Sequence, residues 1–348
     1  MKYTSTYWKE VGDVIRKVPN INTIFHKRIL ITGATGMVCS SIVDILIYLN
    51  RIYNAGIYMV FAGRSIDRIK ERFGELLNGV FFQFCEYDAT KTQELSIDVD
   101  YIIHGASNAN PIVYAKEPVE TLLGNIVGLK DMLDLARRNS SCRILYISSS
   151  EVYGSRINQS EEPFREEDFG YVDILNPRAC YPCGKRTAET LCASYRSEYN
   201  VDFVVVRPGH IYGPSITRFD SRASAVFTRE AAAGHDIVMK SSGEQLRSYC
   251  YTLDCASAIL TVLIKGESGK AYNISNKDSV VSIKEIAEAI AKVCRVRVVF
   301  EKASEEEKKG YNLMSNSSLN ADKLEQLGWE PVFSLEKGVE ATIRYFEG

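Results

Sequence analysis

The chain has 348 residues, of which 45% are hydrophobic and 25% charged, as in an ordinary globular protein with a sizeable core. The formal net charge of −2 at pH 7 gives no reason to expect nucleic acid or an anionic membrane as a partner, and no apolar run approaches the roughly 20 residues of a membrane span. Nine cysteines without a secreted-scaffold spacing, behind an N-terminus that lacks the apolar core of a signal peptide, predict reduced thiols and a cytoplasmic location.

The first 208 residues alternate short apolar runs with amphipathic stretches, a pattern typical of strands joined by helices. Strands are predicted over Arg28–Thr32, Tyr58–Ala62, Val80–Cys85, Tyr101–His104, Arg143–Ser148 and Phe203–Arg207. Helices are predicted between them over Met37–Leu49, Ser65–Leu77, Val119–Arg138 and Tyr181–Tyr199. This alternation predicts an α/β fold with a Rossmann-type, doubly wound parallel sheet covered by helices on both faces.

After Pro208 the alternation loosens, and the pattern predicts a smaller α/β C-terminal lobe for the substrate. Its helices are predicted over Ser221–Ala233, Asp254–Leu263, Ser282–Val293, Leu319–Gln326 and Leu335–Phe346. The charge run Ser304–Lys309 is expected to be a solvated helix start or loop. The predicted organisation is an N-terminal extension over 1–26, a dinucleotide-binding domain over 27–208, and a substrate-binding lobe over 209–348 whose chain crosses back to the sheet.

The run Gly33-Ala34-Thr35-Gly36-Met37 lies between the first strand and the first helix of this pattern. A turn without Cβ atoms lets backbone N–H groups reach a pyrophosphate at the helix N-terminus. Cys39 stands where a third glycine usually allows close packing of helix and strand, and a slightly wider packing is expected there.

Tyr181 and Lys185 are four residues apart and therefore share one face of a predicted helix. The ammonium of Lys185 is expected to lower the pKa of the Tyr181 phenol from about 10 towards the range of a general base. The serine run that begins at Ser148, at the end of a strand, supplies a hydroxyl that can share the proton.

Together these features resemble the extended short-chain dehydrogenase/reductase family, whose members use NAD to modify nucleotide sugars. The resemblance implies that Ser149, Tyr181 and Lys185 are catalytic. It implies cofactor contacts from Gly33, Thr35, Gly36, Met37, Arg64, Asp88, Ala89, Ala106, Ser107, Asn125, Ser148, Lys185 and Pro208. Arg64 stands where the family usually has an acid for the adenosine ribose. It could face a 2′-phosphate or stack on adenine, so NAD is predicted and NADP stays open.

The run Pro177-Arg178-Ala179-Cys180-Tyr181 resembles the UDP-glucuronate decarboxylase (UDP-xylose synthase) branch, as does Asn110-Pro111 followed by Tyr114. In that branch a glutamate after two hydroxyl residues and an arginine near the sugar carboxylate are catalytic, roles that fall here to Glu151 and Arg247. The residues implied to contact the substrate are Asn110, Ser150, His210, Arg222 and Arg247. His210 departs from the family, which has an asparagine there.

The expected function is therefore oxidation of a nucleotide sugar at carbon 4, followed by decarboxylation, on a UDP-linked substrate. A 4-epimerase, a 4,6-dehydratase and a non-catalytic cofactor sensor of the same fold are the alternatives. The resemblance also implies a homodimer, and no pair of the four histidines has the spacing of metal ligands.

Overall fold

A computed structural model of the chain describes residues 1–156, 162–217, 219–303 and 314–346. The predicted charge run Ser304–Lys309 lies outside these residues. Among the helices that are described, none is both long and apolar enough to cross a membrane.

Within the described residues, seven parallel strands form one sheet in the order β10-β6-β5-β4-β1-β2-β3. Its strands are β1 Arg28–Thr32, β2 Tyr58–Gly63, β3 Phe82–Glu86, β4 Tyr101–His104, β5 Arg143–Ile147, β6 Asp202–Pro208 and β10 Lys270–Ile274. The first six agree with the predicted strands to within two residues at each end. The predicted doubly wound α/β fold is thereby confirmed.

Helices cover both faces of this sheet, because alternate residues of each buried strand point to opposite faces. In β1, Ile29 and Ile31 pack in the core that contains the helices Met37–Tyr53 and Thr252–Lys265, whereas Leu30 packs in the core that contains the helices Pro118–Arg138 and Cys180–Tyr199. The helices are α1 Ser5–Ile15, α2 Met37–Tyr53, α3 Ile66–Phe73, α4 Pro111–Lys116, α5 Pro118–Arg138, α6 Cys180–Tyr199, α7 Ala223–Ala232, α8 Thr252–Lys265, α9 Ile283–Cys294, α10 Asp322–Glu325 and α11 Leu335–Tyr345.

The chain after β6 builds a second layer of short strands, which begins just after the carboxyl end of β6. Its strands are β7 His210–Tyr212, β9 Leu246–Tyr251, β11 Val280–Ser282 and β13 Asn316–Ser317. Strands β8 Ile237–Met239 and β12 Val298–Phe300 pair with each other in a separate two-stranded sheet. Strand β9 lies at the centre of this layer and pairs with β7, β11 and β13. The helix predicted over Leu319–Gln326 is shorter in the structure, because Leu319 forms a β-bridge with Phe164 and α10 begins only at Asp322.

The N-terminal extension is integrated into the larger core rather than attached to its surface. Helix α1 packs on α2 and α8, and the buried Tyr7 donates a 2.6 Å hydrogen bond to the buried Asp44 of α2. Strand β10 of the main sheet comes from residues after 209. The division into an extension, a dinucleotide-binding domain and a substrate-binding lobe stays a prediction.

Candidate active site

The glycine turn lies between β1 and α2, at the carboxyl edge of the sheet. Gly33 has φ +68, and a Cβ at this position would lie 2.9 Å from the carbonyl oxygen of Gly105. Gly36 is the N-cap of α2, and no side chain at this cap accepts a hydrogen bond from the N–H groups of the first helical turn. These N–H groups therefore face the glycine turn. This cradle fits the pyrophosphate of a dinucleotide.

Thr32 holds the ends of β1 and β4 together at the floor of this cradle. Its hydroxyl accepts hydrogen bonds from the N–H groups of Gly105, at 3.1 Å, and Ala106, at 3.0 Å. Cys39, which replaces the third glycine, is buried, and a Cβ on Gly105 would collide with its sulfur. The absence of a side chain at Gly105 therefore makes room for the larger residue at 39.

We expect Gly33→Ala to reduce NAD affinity at least about tenfold and to lower the free energy of unfolding by about 1–3 kcal/mol. The alanine would adopt a left-handed conformation and press on the carbonyl of Gly105. The matched control is Gly79→Ala, because Gly79 has φ +73 but nothing within 4 Å of its Cβ position. Titration with NAD and chemical denaturation of both variants separate backbone strain from the steric effect. Equal losses of NAD affinity in the two variants would contradict the assignment of the turn.

At the adenosine end, the structure places Arg64 on the surface directly after β2. Asp88 follows β3, and its carboxylate accepts hydrogen bonds from the Thr90 N–H, at 3.1 Å, and the Thr90 hydroxyl, at 2.8 Å. These bonds lower the pKa of Asp88. Ala89 contacts α5 at Gly128, where an added Cβ would lie 2.7 Å from the Ala89 Cβ.

Deeper along the edge, Asn125 of α5 is buried, and its side chain is fixed on both sides. Its amide donates to the Thr121 carbonyl at 2.8 Å, and its oxygen accepts from the hydroxyl groups of Ser107, at 3.0 Å, and Tyr146, at 3.3 Å. The hydroxyl of Ser148 donates to Glu189 at 2.6 Å. Asn125 and Ser148 thus fix the packing of α5 and α6 around the ends of β4 and β5.

Tyr181 lies in the first turn of α6 and is buried. Burial, and secondarily the nearby charge of Glu151, raises the pKa of Tyr181 to about 12, although a hydrogen bond with Ser149 opposes the shift. The structure therefore brings Ser149, Glu151 and Tyr181 together as predicted, but the phenol is not acidified.

Lys185 is buried beside Tyr181, as the helical spacing predicts. Its ammonium donates to the Ile147 carbonyl at 2.8 Å and lies above two rings, 4.7 Å from the centre of Tyr146 and 5.7 Å from that of Tyr181. Burial lowers the pKa of Lys185 itself to about 7. The lysine is thus oriented by a main-chain carbonyl, and burial outweighs the expected lowering of the Tyr181 pKa.

Two further residues contact the group of Ser149, Glu151 and Tyr181, and no role was predicted for either of them. The Tyr114 ring stacks on Tyr181 at 5.3 Å between centres, and the Arg178 guanidinium lies 5.6 Å from the Tyr114 ring centre. Arg178 also forms a 3.6 Å ion pair with Glu151. Burial raises the pKa of Glu151, and Arg178, followed by Arg247, opposes that shift. The sequence signal for both residues was the branch-specific runs around Pro177 and Pro111.

The second layer contributes the predicted residues on the opposite side. Arg247 of β9 is 2% exposed, and its two terminal nitrogens donate to the carbonyls of Leu246, at 2.8 Å, and Met314, at 2.9 Å. Arg222 is paired with Asp220 and also donates to the Met37 sulfur at 3.4 Å. The Asn110 amide donates to the Phe219 carbonyl at 2.7 Å and so links α4 to this layer.

Of the remaining predicted positions, Thr35 lies within the glycine turn, Pro208 ends β6, and Ser150 is buried in the one-turn 3-10 helix Ser150–Tyr153. Among the described residues, no group of three or more His, Cys, Asp or Glu side chains is arranged to hold a metal ion.

His210 of β7 is close enough to Arg222 and Arg247 to be affected by their charges. Its Nδ1 is buried and has no hydrogen-bond partner among the described residues, and its ring lies 5.7 Å from that of Tyr249. Burial, together with the charges of Arg247 and Arg222, lowers the pKa of His210 to about 3. The imidazole is therefore neutral at pH 7, so any positive charge on this side of the site comes from the arginines.

We expect acid to destabilise the protein through His210. Its pKa is lower in the folded state, so the unfolded chain binds the extra proton first, and stability falls as the pH drops below about 6.5. Between about pH 7.5 and pH 5.5, wild type should lose about 1.4 kcal/mol more unfolding free energy than His210→Asn. Denaturant titrations at both pH values measure this difference, and His235→Asn, at an exposed histidine, should match wild type. Equal acid sensitivity of wild type and His210→Asn would refute the expectation.

The parallel sheet and the glycine cradle are those of a Rossmann-type dinucleotide-binding protein, and Ser149, Tyr181 and Lys185 lie together at the carboxyl edge of the sheet. The model of the NAD dependent epimerase/dehydratase family matches residues 29–275, and the chain belongs to that family. The predicted family, its enzymatic nature and NAD as its cofactor are thereby confirmed.

Known proteins similar to this chain fall within the same family. UDP-glucuronic acid decarboxylase 1 of Xenopus tropicalis is 32% identical over 324 residues, which are 92% of this chain and 72% of that protein. UDP-glucuronic acid decarboxylase 6 of Arabidopsis thaliana is 32% identical over 319 residues, or 90% of this chain and 87% of that protein. A structure of UDP-glucuronic acid 4-epimerase from Bacillus cereus, with UDP-glucuronic acid and NAD, matches with a TM-score of 0.76 at 22% identity, covering 91% of this chain and 98% of that one. At this identity the match to the solved structure shows the fold alone.

Proposed function

We propose that the protein is an NAD-dependent decarboxylase of UDP-glucuronate. The observation that carries the proposal is the position of Glu151, beside Tyr181 and in contact with Arg178, with Arg247 also acting on its carboxyl group. A 4-epimerase needs no acid/base group besides the tyrosine, whereas a decarboxylase must also reprotonate carbon 5. The curated relatives at 32% identity support the same reading.

The chemistry divides between the cofactor and the side chains. NAD, held at the turn of Gly33 and Gly36, would supply the acceptor for the hydride of sugar carbon 4 and its donor at the end of the cycle. The Tyr181 oxygen takes the proton of the carbon 4 hydroxyl, and Ser149, bonded to that oxygen, shares the developing charge. Because the oxidised sugar carries its carboxylate β to a ketone, the bond to the carboxylate breaks and CO2 leaves, with the electron pair delocalised into the ketone.

Glu151 is suited to supply the proton that carbon 5 then requires. Burial raises its pKa towards the working range, while the ion pair with Arg178 keeps the carboxyl group oriented. Arg247 adds positive charge on this side of the site, which suits a substrate that bears both a diphosphate and a carboxylate. Asn110, Ser150 and His210 remain proposed substrate contacts.

The same proposal covers the cofactor preference, the assembly and the location. We expect NAD rather than NADP, because the chain belongs to an NAD dependent family and the exposed Arg64 could stack on adenine. A homodimer and a cytoplasmic location are also proposed, and the nine cysteines, all without a disulfide bond, suit the latter.

The test is incubation of the purified protein with UDP-glucuronate and NAD, followed by measurement of CO2 and of the nucleotide-sugar mass. We expect one CO2 per sugar consumed and no net reduction of NAD over a full cycle. The control is Tyr181→Phe under the same conditions. A product of unchanged mass with inverted carbon 4 would replace the proposal by a 4-epimerase, and loss of water would indicate a dehydratase.

A further inference from the structure

A buried carboxyl group on α2 connects the N-terminal extension to the rest of the fold. Asp44 is fully buried, and its two oxygens accept hydrogen bonds from the hydroxyl groups of Tyr3, at 2.8 Å, and Tyr7, at 2.6 Å. A buried carboxyl group is costly unless donors surround it. Both of these donors belong to the extension, so the extension is an integral part of this packing.

Arg72 of α3 joins this contact to the loop between β7 and α7. Its side chain is 14% exposed, and its guanidinium hydrogen-bonds to the Tyr3 hydroxyl and lies 3.4 Å from the Asp44 carboxyl group. The same guanidinium donates to the hydroxyl of Ser215, just after β7, at 3.2 Å. Tyr3, Tyr7, Asp44, Arg72 and Ser215 thus form one cluster, the Asp44 cluster, which bridges the extension, α2, α3 and the loop.

Proposed substrate contacts lie on both sides of Ser215 in the chain. Strand β7, before the loop, carries His210, and Arg222 is the N-cap of α7 after it. Near its end the loop also contacts α4, because the Asn110 amide donates to the Phe219 carbonyl at 2.7 Å. The position of this loop therefore affects how the proposed contacts are placed around a nucleotide sugar.

The glycine turn for the dinucleotide is fixed by different contacts. The Thr32 hydroxyl accepts from the N–H groups of Gly105 and Ala106. On α2, the Ser41 hydroxyl hydrogen-bonds to that of Thr252 at 2.8 Å. None of these bonds involves the extension. Loosening of the Asp44 cluster should therefore affect the sugar site and leave the NAD site as it is.

We propose that the N-terminal extension positions the loop between β7 and α7 for the nucleotide sugar, with Tyr3 and Arg72 as positioning residues. A loop that is already held in place loses less conformational freedom when a ligand binds, so the ligand binds more tightly. This inference rests on the proposed function, because the substrate contacts beside the loop are proposed there. The hydrogen bonds of Tyr3 and Arg72 go to α2 and the loop, so affinity is affected and the chemical step is not.

The experiment measures binding without turnover, in a Tyr181→Phe background with NAD present. Tyr3→Phe removes one hydroxyl from the cluster and keeps the ring, which stacks on Trp8 at 5.4 Å. Calorimetric titration should show a dissociation constant for UDP-glucuronate raised about fivefold or more, with that for NAD unchanged. The control Tyr48→Phe removes the same atom where the extension packs on α2, with its ring 6.3 Å from Trp8 but outside the Asp44 cluster, and should change neither constant.

Ser215→Ala breaks the same link from the loop side and keeps the packing of the extension. It should weaken UDP-glucuronate by about the same factor, and the double variant with Tyr3→Phe should lose little more, because both changes interrupt one connection. Hydrogen exchange of residues 213–217 in the NAD-bound protein without sugar should be faster in Tyr3→Phe and unchanged in Tyr48→Phe.

Three results would overturn the inference: unchanged UDP-glucuronate binding in Tyr3→Phe, losses that simply multiply in the double variant, or unchanged exchange of the loop. An equal loss of NAD affinity in Tyr3→Phe would also overturn it, since the extension would then support the whole fold. Failure of the proposed function is read separately, as the absence of CO2 release by the wild-type enzyme. The exchange measurement reports on the link without any sugar.

Discussion

Tyr181→Phe is expected to keep the fold and the bound dinucleotide but to lower turnover at least about a hundredfold, the usual effect of removing a positioned acid/base. The hydroxyl that is removed is hydrogen-bonded to Ser149, whereas the ring, stacked on Tyr114 at 5.3 Å, is retained. The variant therefore loses the proton acceptor without leaving a cavity. Steady-state CO2 release, NAD titration and thermal unfolding together measure the three parts of this prediction.

The matched control is Tyr199→Phe, at the opposite end of the same helix, where the ring contacts the Arg137 guanidinium at 3.8 Å. It removes the same atom from α6 and should retain full turnover. A Tyr181→Phe variant with near wild-type turnover would mean that another group accepts the proton of the carbon 4 hydroxyl.

The sequence was a good guide to the sheet because the signals there are local. The strands Arg28–Thr32 and Tyr101–His104 were predicted at their observed bounds, since each is an apolar run that ends at a small or polar residue. Parallel strands with helical crossovers permit few topologies, so a doubly wound parallel sheet could be predicted from the pattern, although the order of its strands was not. The glycine turn and the Tyr181 and Lys185 pair depend on fixed short spacings, and the structure brings them to the same edge.

The second layer was less predictable because it is made by contacts distant in sequence. Strand β9 lies among β7, β11 and β13, strands of two or three residues whose apolar runs are too short to show a period. The helix predicted from Leu319 begins later because that residue pairs with Phe164, more than a hundred positions away. No local pattern encodes such a partner.

Electrostatics was the least predictable part of the site. The spacing of Tyr181 and Lys185 predicted a lowered phenol pKa, yet burial outweighs the lysine, which donates to Ile147 instead. Helical spacing places two side chains on one face, but the direction of a pKa shift depends on the whole surroundings of the group. The proximity of Arg178 to Glu151 likewise depends on how a loop and a helix meet, so a role for that arginine emerged only from the fold.

Glu151→Gln should separate oxidation from the later steps of the reaction. The amide keeps the size of the side chain but cannot hold or release the proton, so reprotonation of carbon 5 should slow at least about a hundredfold. Proton removal by Tyr181 does not require Glu151, so the first oxidation should still proceed. The expected result is a burst of reduced nicotinamide absorbance in a single turnover, with a keto-sugar detectable by mass and little complete product.

Removal of the Glu151 charge should also change the pKa of Tyr181. Glu151 raises the pKa of Tyr181, so its neutralisation should lower the pKa of the phenol and, because Tyr181 acts as a base, shift the acid limb of the turnover profile to lower pH. The control Glu94→Gln removes the same charge at an exposed residue on the far side of α5 and should change neither the burst nor the profile. Full turnover by Glu151→Gln without a burst would contradict a catalytic role for the glutamate. Glu151 would then be a structural partner of Arg178, and a 4-epimerase would be the preferred function.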